Sequence, residues 1–334
     1  MTVMPPEWER HERTWMAWPP QGPTTADLDA AGLERTRVAW AAVARTIAGY
    51  EPVTMVVDPS DGESARRLLP EQVRILEAPL DDSWMRDIGP TFVRATDGEL
   101  AAVDWVFNGW GAQDWAVWDH DNDVAGRVAD AAEVRSIASA MVNEGGAIHV
   151  DGSGTVLLTR TVQLDPRRNP GWTVADVELE VHELLGTDRA VWLERGLHRD
   201  YEDFGTRGHV DMIAAFAGPE AIVYHEQPNP KHPDFEVSRE LRATLEEAFP
   251  DREVIPLRAP AQLMDGHGWV DYSYVNHYVC NGAVIACGFT DPNDDVAAKV
   301  LAECYPDREV VTVDARAIFA RGGGIHCITQ QQPA

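Results

Sequence analysis

The segment VDMIAAFAGPEAIVYHEQPNPKHPDFEVSRELRATLEEAF, residues 210–249, decides the fold class. It opens with two short apolar runs, 210–216 and 221–226, each of a length typical of a β-strand. A helical pattern follows, with apolar residues recurring at helical spacing: Val237, Leu241, Leu245 and Ala248. The segment therefore predicts two strands followed by an amphipathic helix.

The same alternation extends outward along the whole chain. Further strand-like runs lie at 52–58, 73–79, 100–107, 155–159, 190–194, 274–280, 283–289 and 309–313. Helical patterns fall between them at 27–48, 121–135, 173–185 and 293–304. Interleaved strands and helices are typical of the α/β class. No Gly/Ser-rich or charged linker divides the sequence, so we predict a single domain over residues 1–334.

Composition limits the classes of protein and of partner. The chain has 334 residues, 44% of them hydrophobic, which is enough to bury a sizeable core. Its 55 acidic and 28 basic residues give a net charge of -27, which argues against a nucleic-acid partner. The acid excess serves either solubility or the attraction of a cationic ligand. No apolar run approaches the roughly 18 residues of a membrane helix, and the N-terminus lacks a signal-peptide pattern. We expect no membrane partner and a cytoplasmic location.

Three of the four cysteines are predicted to be structural. Cys280 and Cys287 lie in an apparent strand pair that turns at Asn281, and Cys304 follows a helical pattern. No two cysteines form a CxxC pair, and no cluster has zinc spacing. We therefore expect four free thiols and no metal site built on them.

The fourth cysteine, Cys327, lies in RGGGIHCITQQQP, residues 321–333. Three glycines precede it, which lets backbone approach a ligand closely, and a nearby imidazole or cation would activate the thiol. His326 would point the opposite way on an extended strand, which makes it a poor partner. From this segment alone, a buried cysteine that closes the last strand is favoured over a nucleophile.

His209 and Asp211 are two residues apart, so on a strand they would share one face. This pair suits a general acid/base beside a carboxylate, and it also suits two metal ligands, which makes a metal-dependent hydrolase the alternative. His149 and Asp151 have the same spacing. An HExxH pattern is absent, so the metal interpretation is the less favoured one.

Several carboxylates lie beside glycines or tight turns: Asp87, Glu144 and Asp211. If they converged on one pocket they would repel each other unless a cation lay between them, and a planar guanidinium matches such a ring. Asp81 and Asp82, in contrast, are expected to be solvated or capping. The Trp-rich stretch 104–118 either fills a core or forms the wall of a pocket for a flat cation.

Six stretches together resemble the agmatine deiminase family, relatives of the bacterial peptidyl-arginine deiminases. They are MPPEWERHERTWMAWP, DDSWMRDIGPTFV, NEGGAIHVDGSGT, RRNPG, GHVD and GGGIHCITQQQP, which run in family order from Met4 to Pro333. The resemblance implies a pentein fold of five ββαβ-like units around a central channel. It also implies hydrolysis of a guanidinium group with release of ammonia. With this resemblance, a nucleophile becomes the favoured interpretation of Cys327.

The resemblance also assigns roles to individual residues. Cys327 resembles the nucleophile, His209 the general acid/base, and Glu144 the acid that supports His209. Asp87 and Asp211 resemble the carboxylates that grip the guanidinium. Trp84, in the DDSWMRD stretch, resembles the aromatic wall of the pocket. No metal or organic cofactor is implied.

Two departures from the family pattern concern the substrate. Agmatine deiminases usually carry an acidic stretch resembling DETDGHVDN, whereas residues 203–212 read DFGTRGHVDM, with Gly205 and Arg207 in place of acids. Arg207 would repel a second cation and attract a carboxylate, unless it points to solvent or pairs with Asp203. Gly324 stands where the family more often has Asn, which removes one polar side chain near the nucleophile.

We therefore predict hydrolytic deimination of a small cationic guanidino compound of the agmatine type, through a covalent thiouronium intermediate. The alternatives are a deiminase of a carboxylate-bearing guanidine, such as arginine, a guanidino acid or peptidyl arginine, and an amidinotransferase. The family often forms homo-oligomers, so we carry a homo-oligomer as an expectation.

Overall fold

The computed structural model describes residues 2–334. Its strands are β1 (Thr2–Val3), β2 (His11–Ala17), β3 (Val53–Val57), β4 (Arg74–Glu77), β5 (Thr91–Ala95), β6 (Leu100–Val106), β7 (Arg135–Val142), β8 (Ile148–Val150), β9 (Thr155–Thr159), β10 (Arg189–Leu193), β11 (Ala214–Phe216), β12 (Ala221–Glu226), β13 (Glu253–Arg258), β14 (Met264–Asp265), β15 (Gly268–Trp269), β16 (Tyr278–Cys280), β17 (Ala283–Gly288), β18 (Glu309–Asp314) and β19 (Thr329–Pro333). Its helices are α1 (Ala30–Ile47), α2 (Gly62–Leu68), α3 (Met85–Ile88), α4 (Gly109–Ala112), α5 (Val124–Ala131), α6 (Arg160–Gln163), α7 (Val174–Leu185), α8 (Asp234–Ala248), α9 (Asp294–Cys304) and α10 (Arg316–Phe319).

Five sheets repeat one strand pattern, in which the first strand is antiparallel to the second and the second is parallel to the third. These sheets are β5-β6-β7, β8-β9-β10, β11-β12-β13, β16-β17-β18 and β19-β2-β3. In each sheet one longer helix lies between the second and third strands: α5, α7, α8, α9 and α1, respectively. A helical crossover is the usual way to join parallel strands, so the strand order follows from the helix positions.

One of the five sheets joins the two ends of the chain. The C-terminal strand β19 pairs antiparallel with β2, with Gln330 opposite Trp15, and β3 and β4 extend the sheet in parallel. Trp15 donates a hydrogen bond to Gln332 at 2.9 Å. This pairing brings the N-terminal segment beside Cys327, which lies just before β19.

Each long helix buries one face against a sheet. α8 buries Val237, Leu241 and Leu245 and exposes charged residues on its other side, as its apolar spacing predicts. α1 starts after Asp29, whose side chain accepts a hydrogen bond from the Gly32 N–H at 2.6 Å and so caps the helix. Within residues 2–334 no helix has the length and apolar character needed to cross a bilayer.

The predicted α/β class is confirmed, and every predicted helix and strand range overlaps an observed element of that type. Strands without strong apolar character were missed, above all β2, β5, β7, β13 and β19. β19 reads TQQQP and is buried throughout; Gln330 accepts a hydrogen bond from Arg86 and Gln332 accepts one from Trp15 inside the protein. A pattern that counts apolar side chains does not detect such a strand.

Candidate active site

The site is assembled from loops that each lead into the first strand of one of the five sheets. Asp87 precedes β5, Glu144 precedes β8, and Asp211 precedes β11. Asn276 precedes β16 and Cys327 precedes β19. Because the five sheets share one topology, equivalent loops converge and place their polar side chains together in the interior.

The Cys327 thiol is buried and has two polar neighbours. It donates to Asp211 Oδ2 at 3.4 Å, and Asn276 Nδ2 donates to Sγ at 3.1 Å. The Cys327 carbonyl accepts a hydrogen bond from the Arg86 N–H at 3.0 Å. Burial and the Asp211 and Asp87 carboxylates raise the pKa of the Cys327 thiol well above its usual value. In the free protein the thiol is therefore protonated.

His209 is fully buried between two carboxylates. Its Nε2 lies 3.3 Å from Glu144 Oε2, and its Nδ1 lies 3.8 Å from Asp87 Oδ1 without a hydrogen-bond partner. Burial alone would lower the pKa of His209, but the carboxylates of Asp87, Glu144 and Asp211 outweigh it and raise that pKa to about 9. His209 is thus an imidazolium at neutral pH, with Nδ1–H facing the carboxylates.

Glu144 is held by a buried arginine that sequence analysis did not single out. Arg168, in the RRNPG stretch, donates from Nε to both Glu144 oxygens at 3.0 and 3.1 Å. Arg168 also contacts Asp165 and the Thr206 carbonyl. Burial raises the pKa of Glu144, but the charges of Arg168 and His209 outweigh this effect and lower that pKa. Glu144 therefore stays ionised and orients His209.

The two predicted guanidinium ligands differ in the direction in which the protein shifts their pKa. Asp87 accepts from Trp110 Nε1 at 2.9 Å and from the Gly146 N–H at 3.1 Å, and burial raises the pKa of Asp87 to about 6. For Asp211, burial is outweighed by the hydrogen bond and charge of His326, which lower its pKa. Asp211 Oδ1 is buried and accepts no hydrogen bond. An orphaned carboxylate oxygen beside a thiol is suited to an N–H donor from a ligand.

Gly146 keeps these groups in reach of one another. A Cβ at this position would lie 2.6 Å from His209 Nδ1 and 3.0 Å from both Asp211 Oδ2 and Asp87 Oδ1. Any side chain would therefore displace three polar groups of the site. Gly146, the second glycine of the pair in NEGGAIHVDGSGT, is therefore needed for steric reasons that the sequence motif alone did not reveal.

The Trp84 ring lies beside the Cys327 thiol and forms a wall of the small space next to it. A Cβ built on Gly323 would lie 2.8 Å from the Trp84 ring and 3.0 Å from Cys327 Sγ, so ring and thiol flank the same small space. Outside this wall, Phe204 packs against Trp115 with ring centroids 5.2 Å apart and lies 5.2 Å below the Arg321 guanidinium. A surface cavity of about 530 Å³ opens on the outer side of Phe204 and Arg321.

The Trp-rich stretch extends from the core to the candidate site. Trp105 is buried and donates to Thr91 in the core, whereas Trp110 donates to Asp87 in the site. Trp115 stacks on Trp110 with centroids 5.3 Å apart. The stretch thus links core packing to the wall of the site.

The structure gives Arg207 and Gly324 neighbours that the sequence did not indicate. Arg207 Nε lies 3.9 Å from Asp165 Oδ2, and its Nη2 donates to Gln113 at 3.4 Å, so the predicted alternative of a pair with Asp203 is wrong. A Cβ on Gly324 would lie 2.4 Å from Asn276 Oδ1. Asn276 therefore fills the space next to Gly324 and places its own amide on the nucleophile.

Three local expectations are corrected. Val210–Met212 is a 3₁₀ turn, so His209 and Asp211 do not share the face of a strand. His326 lies in a turn before β19 and bonds Asp211 at 2.9 Å, so it is not directed away from the site. Asp81 and Asp82 are buried rather than solvated.

Three residues that contact the site or support it were not predicted from the sequence: Glu7, Arg168 and Asn276. His326 was interpreted as a poor partner of Cys327, and Trp110 was included only as part of the stretch 104–118. Glu7 and Arg168 lie in the quoted motifs MPPEWERHERTWMAWP and RRNPG, which was the available signal. Among residues 2–334 no group of three His, Cys, Asp or Glu side chains has a geometry that could hold a metal ion.

Comparison with known proteins identifies the family. The family model of the Porphyromonas-type peptidyl-arginine deiminases matches residues 3–333. A protein of Streptomyces coelicolor named "Putative agmatine deiminase" is 57% identical over 335 residues, covering 99% of this chain and 98% of its own. The chain belongs to the agmatine deiminase family.

Two further members agree with this assignment. The agmatine deiminase of Medicago truncatula is 37% identical over 366 residues, covering 99% of this chain and 96% of its own. The solved agmatine deiminase of Enterococcus faecalis is 30% identical, with a TM-score of 0.92, 99% of this chain covered and 96% of that one. The predicted family is confirmed, and the mixed α/β fold is that of the agmatine deiminases.

Proposed function

We propose that this protein is a hydrolase that converts agmatine to N-carbamoylputrescine and ammonia through a covalent intermediate on Cys327. The observation that carries the proposal is the convergence of a buried thiol, an imidazolium and an unpartnered carboxylate oxygen: Cys327 Sγ, His209 and Asp211 Oδ1. The relatives named as agmatine deiminases support agmatine as the substrate.

Binding begins with charge pairing. One oxygen of Asp87 and one of Asp211 lie 3.0 Å from the same point beside Gly146, so the two carboxylates are close enough together to accept N–H bonds from one planar guanidinium. The bound cation also favours the thiolate of Cys327 over the thiol by direct attraction, and the thiol releases its proton to solvent as the substrate binds. Substrate binding thus activates a nucleophile that is inert in the free protein.

In the first half-reaction the Cys327 thiolate forms a bond to the guanidinium carbon. His209 donates its proton to one amino nitrogen, the bond from carbon to that nitrogen breaks, and ammonia leaves. The product is a thiouronium on Cys327. The carboxylates of Asp87 and Asp211 stabilise the positive charge throughout.

In the second half-reaction the now neutral His209 takes a proton from water, and the hydroxide adds to the thiouronium carbon. The carbon–sulfur bond then breaks and the hydroxyl proton is lost to solvent, which releases the neutral ureido product and regenerates the thiolate. Glu144, ionised and held by Arg168, stabilises His209 in its charged form in both halves. No cofactor is required by this scheme, because the substrate carries its own charge.

For the architecture, we propose that the five ββαβ units form one domain, arranged as a fan around a central channel with the site at its axis. The supply of one site loop by each unit supports this arrangement. On the same family basis, we also propose that the protein forms a homo-oligomer.

The substrate is tested by parallel incubation with agmatine, L-arginine, a carboxylate-bearing guanidino acid and a peptide ending in arginine. Since Asp165 and Gln113 hold Arg207, we expect kcat/KM for agmatine to exceed the others by at least about 100-fold. A preference for a carboxylate-bearing guanidine would establish the alternative deiminase. Loss of the guanidinium carbon from the product, detected by mass spectrometry, would instead mean amidino transfer.

Agmatine affinity is expected to depend on the ionisation of Asp87. Because the pKa of Asp87 is raised to about 6, the carboxyl is neutral below that pH and ionised above it. Affinity should weaken about tenfold per unit as pH falls below 6, since binding then requires the loss of one proton. Calorimetry on Cys327→Ser measures this without turnover and without the thiol. The double variant with Asp87→Asn should lose the dependence, and its persistence would contradict the assignment.

A further inference from the structure

The N-terminal motif MPPEWERHERTWMAWP contributes no residue to the catalytic scheme above. One of its acids, Glu7, nevertheless lies next to the site. Glu7 is buried, and its Oε1 lies 2.8 Å from His326 Nε2. The other ring nitrogen, His326 Nδ1, lies 2.9 Å from Asp211 Oδ2. A single imidazole therefore joins Glu7 to a proposed substrate ligand.

Both ring nitrogens of His326 face carboxylate oxygens, and a carboxylate only accepts hydrogen bonds. Both nitrogens therefore carry protons, which makes His326 an imidazolium. Burial and the charge of Arg86 oppose this state, but Glu7 and Asp211 outweigh them and raise the pKa of His326. The groups that face His326 or lie close to it are Glu7, Asp211, Arg86, His149 and His277.

Glu7 is itself fixed in its charged form. Arg86 Nη1 lies 3.3 Å from Glu7 Oε1, and His149 Nε2 lies 3.7 Å from Oε2. Burial acts in the other direction, but the charges of His326 and Arg86 keep the pKa of Glu7 well below its ordinary value. The same Arg86 donates its backbone N–H to the Cys327 carbonyl. The network thus holds both the nucleophile segment and Asp211.

The bond from His326 determines how Asp211 is presented. It engages Oδ2, the oxygen that also accepts from the Cys327 thiol, and leaves Oδ1 without a partner. If His326 were neutral, no cationic donor on that side would hold the plane of the Asp211 carboxylate. The negative charge of Asp211 would then lie uncompensated near the thiol. The orientation of Asp211 thus depends on Glu7 through His326.

We propose that Glu7 is a positioning residue of the deiminase: it holds His326 as a cation, and His326 in turn fixes Asp211 for the substrate guanidinium. The inference rests on the proposed function for the identity of the substrate. Glu7 itself touches neither substrate nor nucleophile.

The test compares Glu7→Gln with Asp61→Asn as control. Asp61 is another buried acid in the N-terminal part of the chain. It accepts hydrogen bonds from Arg37 at 2.5 Å and from the Gln21 N–H at 2.9 Å, and it contacts none of the site residues. For Glu7→Gln we expect KM for agmatine to rise about 10- to 100-fold with a smaller change in kcat. Glu7→Asp keeps a carboxylate and should therefore show a smaller rise in KM. The control should keep the wild-type KM. Equal KM for wild type and Glu7→Gln would overturn the proposal.

Two measurements separate this role from a purely structural one. In an Asp211→Asn background, Glu7→Gln should produce no further loss of agmatine affinity, because its effect passes through Asp211; a full additive loss would overturn the proposal. If Glu7→Gln does not fold, ¹⁵N NMR of the wild-type imidazoles decides, since both nitrogens of His326 must be protonated at neutral pH. A neutral His326 would overturn the proposal. Absence of agmatine turnover by the wild type would instead refute the proposed function.

Discussion

Cys327→Ser is expected to lower agmatine turnover by at least about 10⁴-fold while leaving agmatine binding measurable. A serine hydroxyl preserves the volume of the side chain and can still donate to Asp211, but it does not become an anion near neutral pH. The carboxylates that bind the guanidinium are untouched. Ammonia release measures the loss of turnover, and calorimetry measures the retained affinity.

Cys304→Ser provides the control, because that thiol is half-buried at the end of α9 and its side chain forms no hydrogen bond with the site residues. It should turn over agmatine like the wild type. Retention of activity within tenfold by Cys327→Ser would refute covalent catalysis by this thiol.

His209→Asn is expected to lower kcat for agmatine by about 10²- to 10⁴-fold, the usual contribution of a general acid/base. Both half-reactions depend on this imidazole, first to protonate ammonia and then to deprotonate water. Affinity for agmatine should not fall, because the variant loses a positive charge between three carboxylates, those of Asp87, Glu144 and Asp211. Steady-state kinetics separates kcat from KM.

The matched control is His120→Asn, whose imidazole is about half exposed and lies near Asp81 rather than near the thiol. It should leave both constants unchanged. A His209→Asn variant that loses affinity but keeps kcat would assign the imidazole to binding and remove it from the proton-transfer steps.

Much of the fold was predictable because it depends on local periodicity. The helix over Asp234–Ala248 and the strand over Ala221–Glu226 have apolar residues at the spacing that their own geometry demands. β19 was not predictable in this way, because its buried glutamines are stabilised by partners elsewhere in the chain, such as Trp15.

The sequence indicated residues that the structure brings together, but it did not indicate how they are arranged. Cys327, His209, Asp87, Asp211 and Glu144 were identified from glycine-rich motifs and from the family they resemble. Their neighbours were not, and His326 was even interpreted as directed away from the site, because the segment was taken to be extended. The turn before β19 places its imidazole on Asp211 instead.

The sequence by itself determined the alternation of strands and helices and the acidic surplus, since both are properties of residue type and local spacing. Its motifs also carried the family resemblance, which indicated the candidate reactive groups. Only the tertiary structure decided which groups meet. Glu7 and His326 are 319 residues apart in the chain, yet they lie 2.8 Å apart because β2 and β19 pair in one sheet. The pKa of each site residue follows from such contacts, since it depends on burial and on charges brought close by folding.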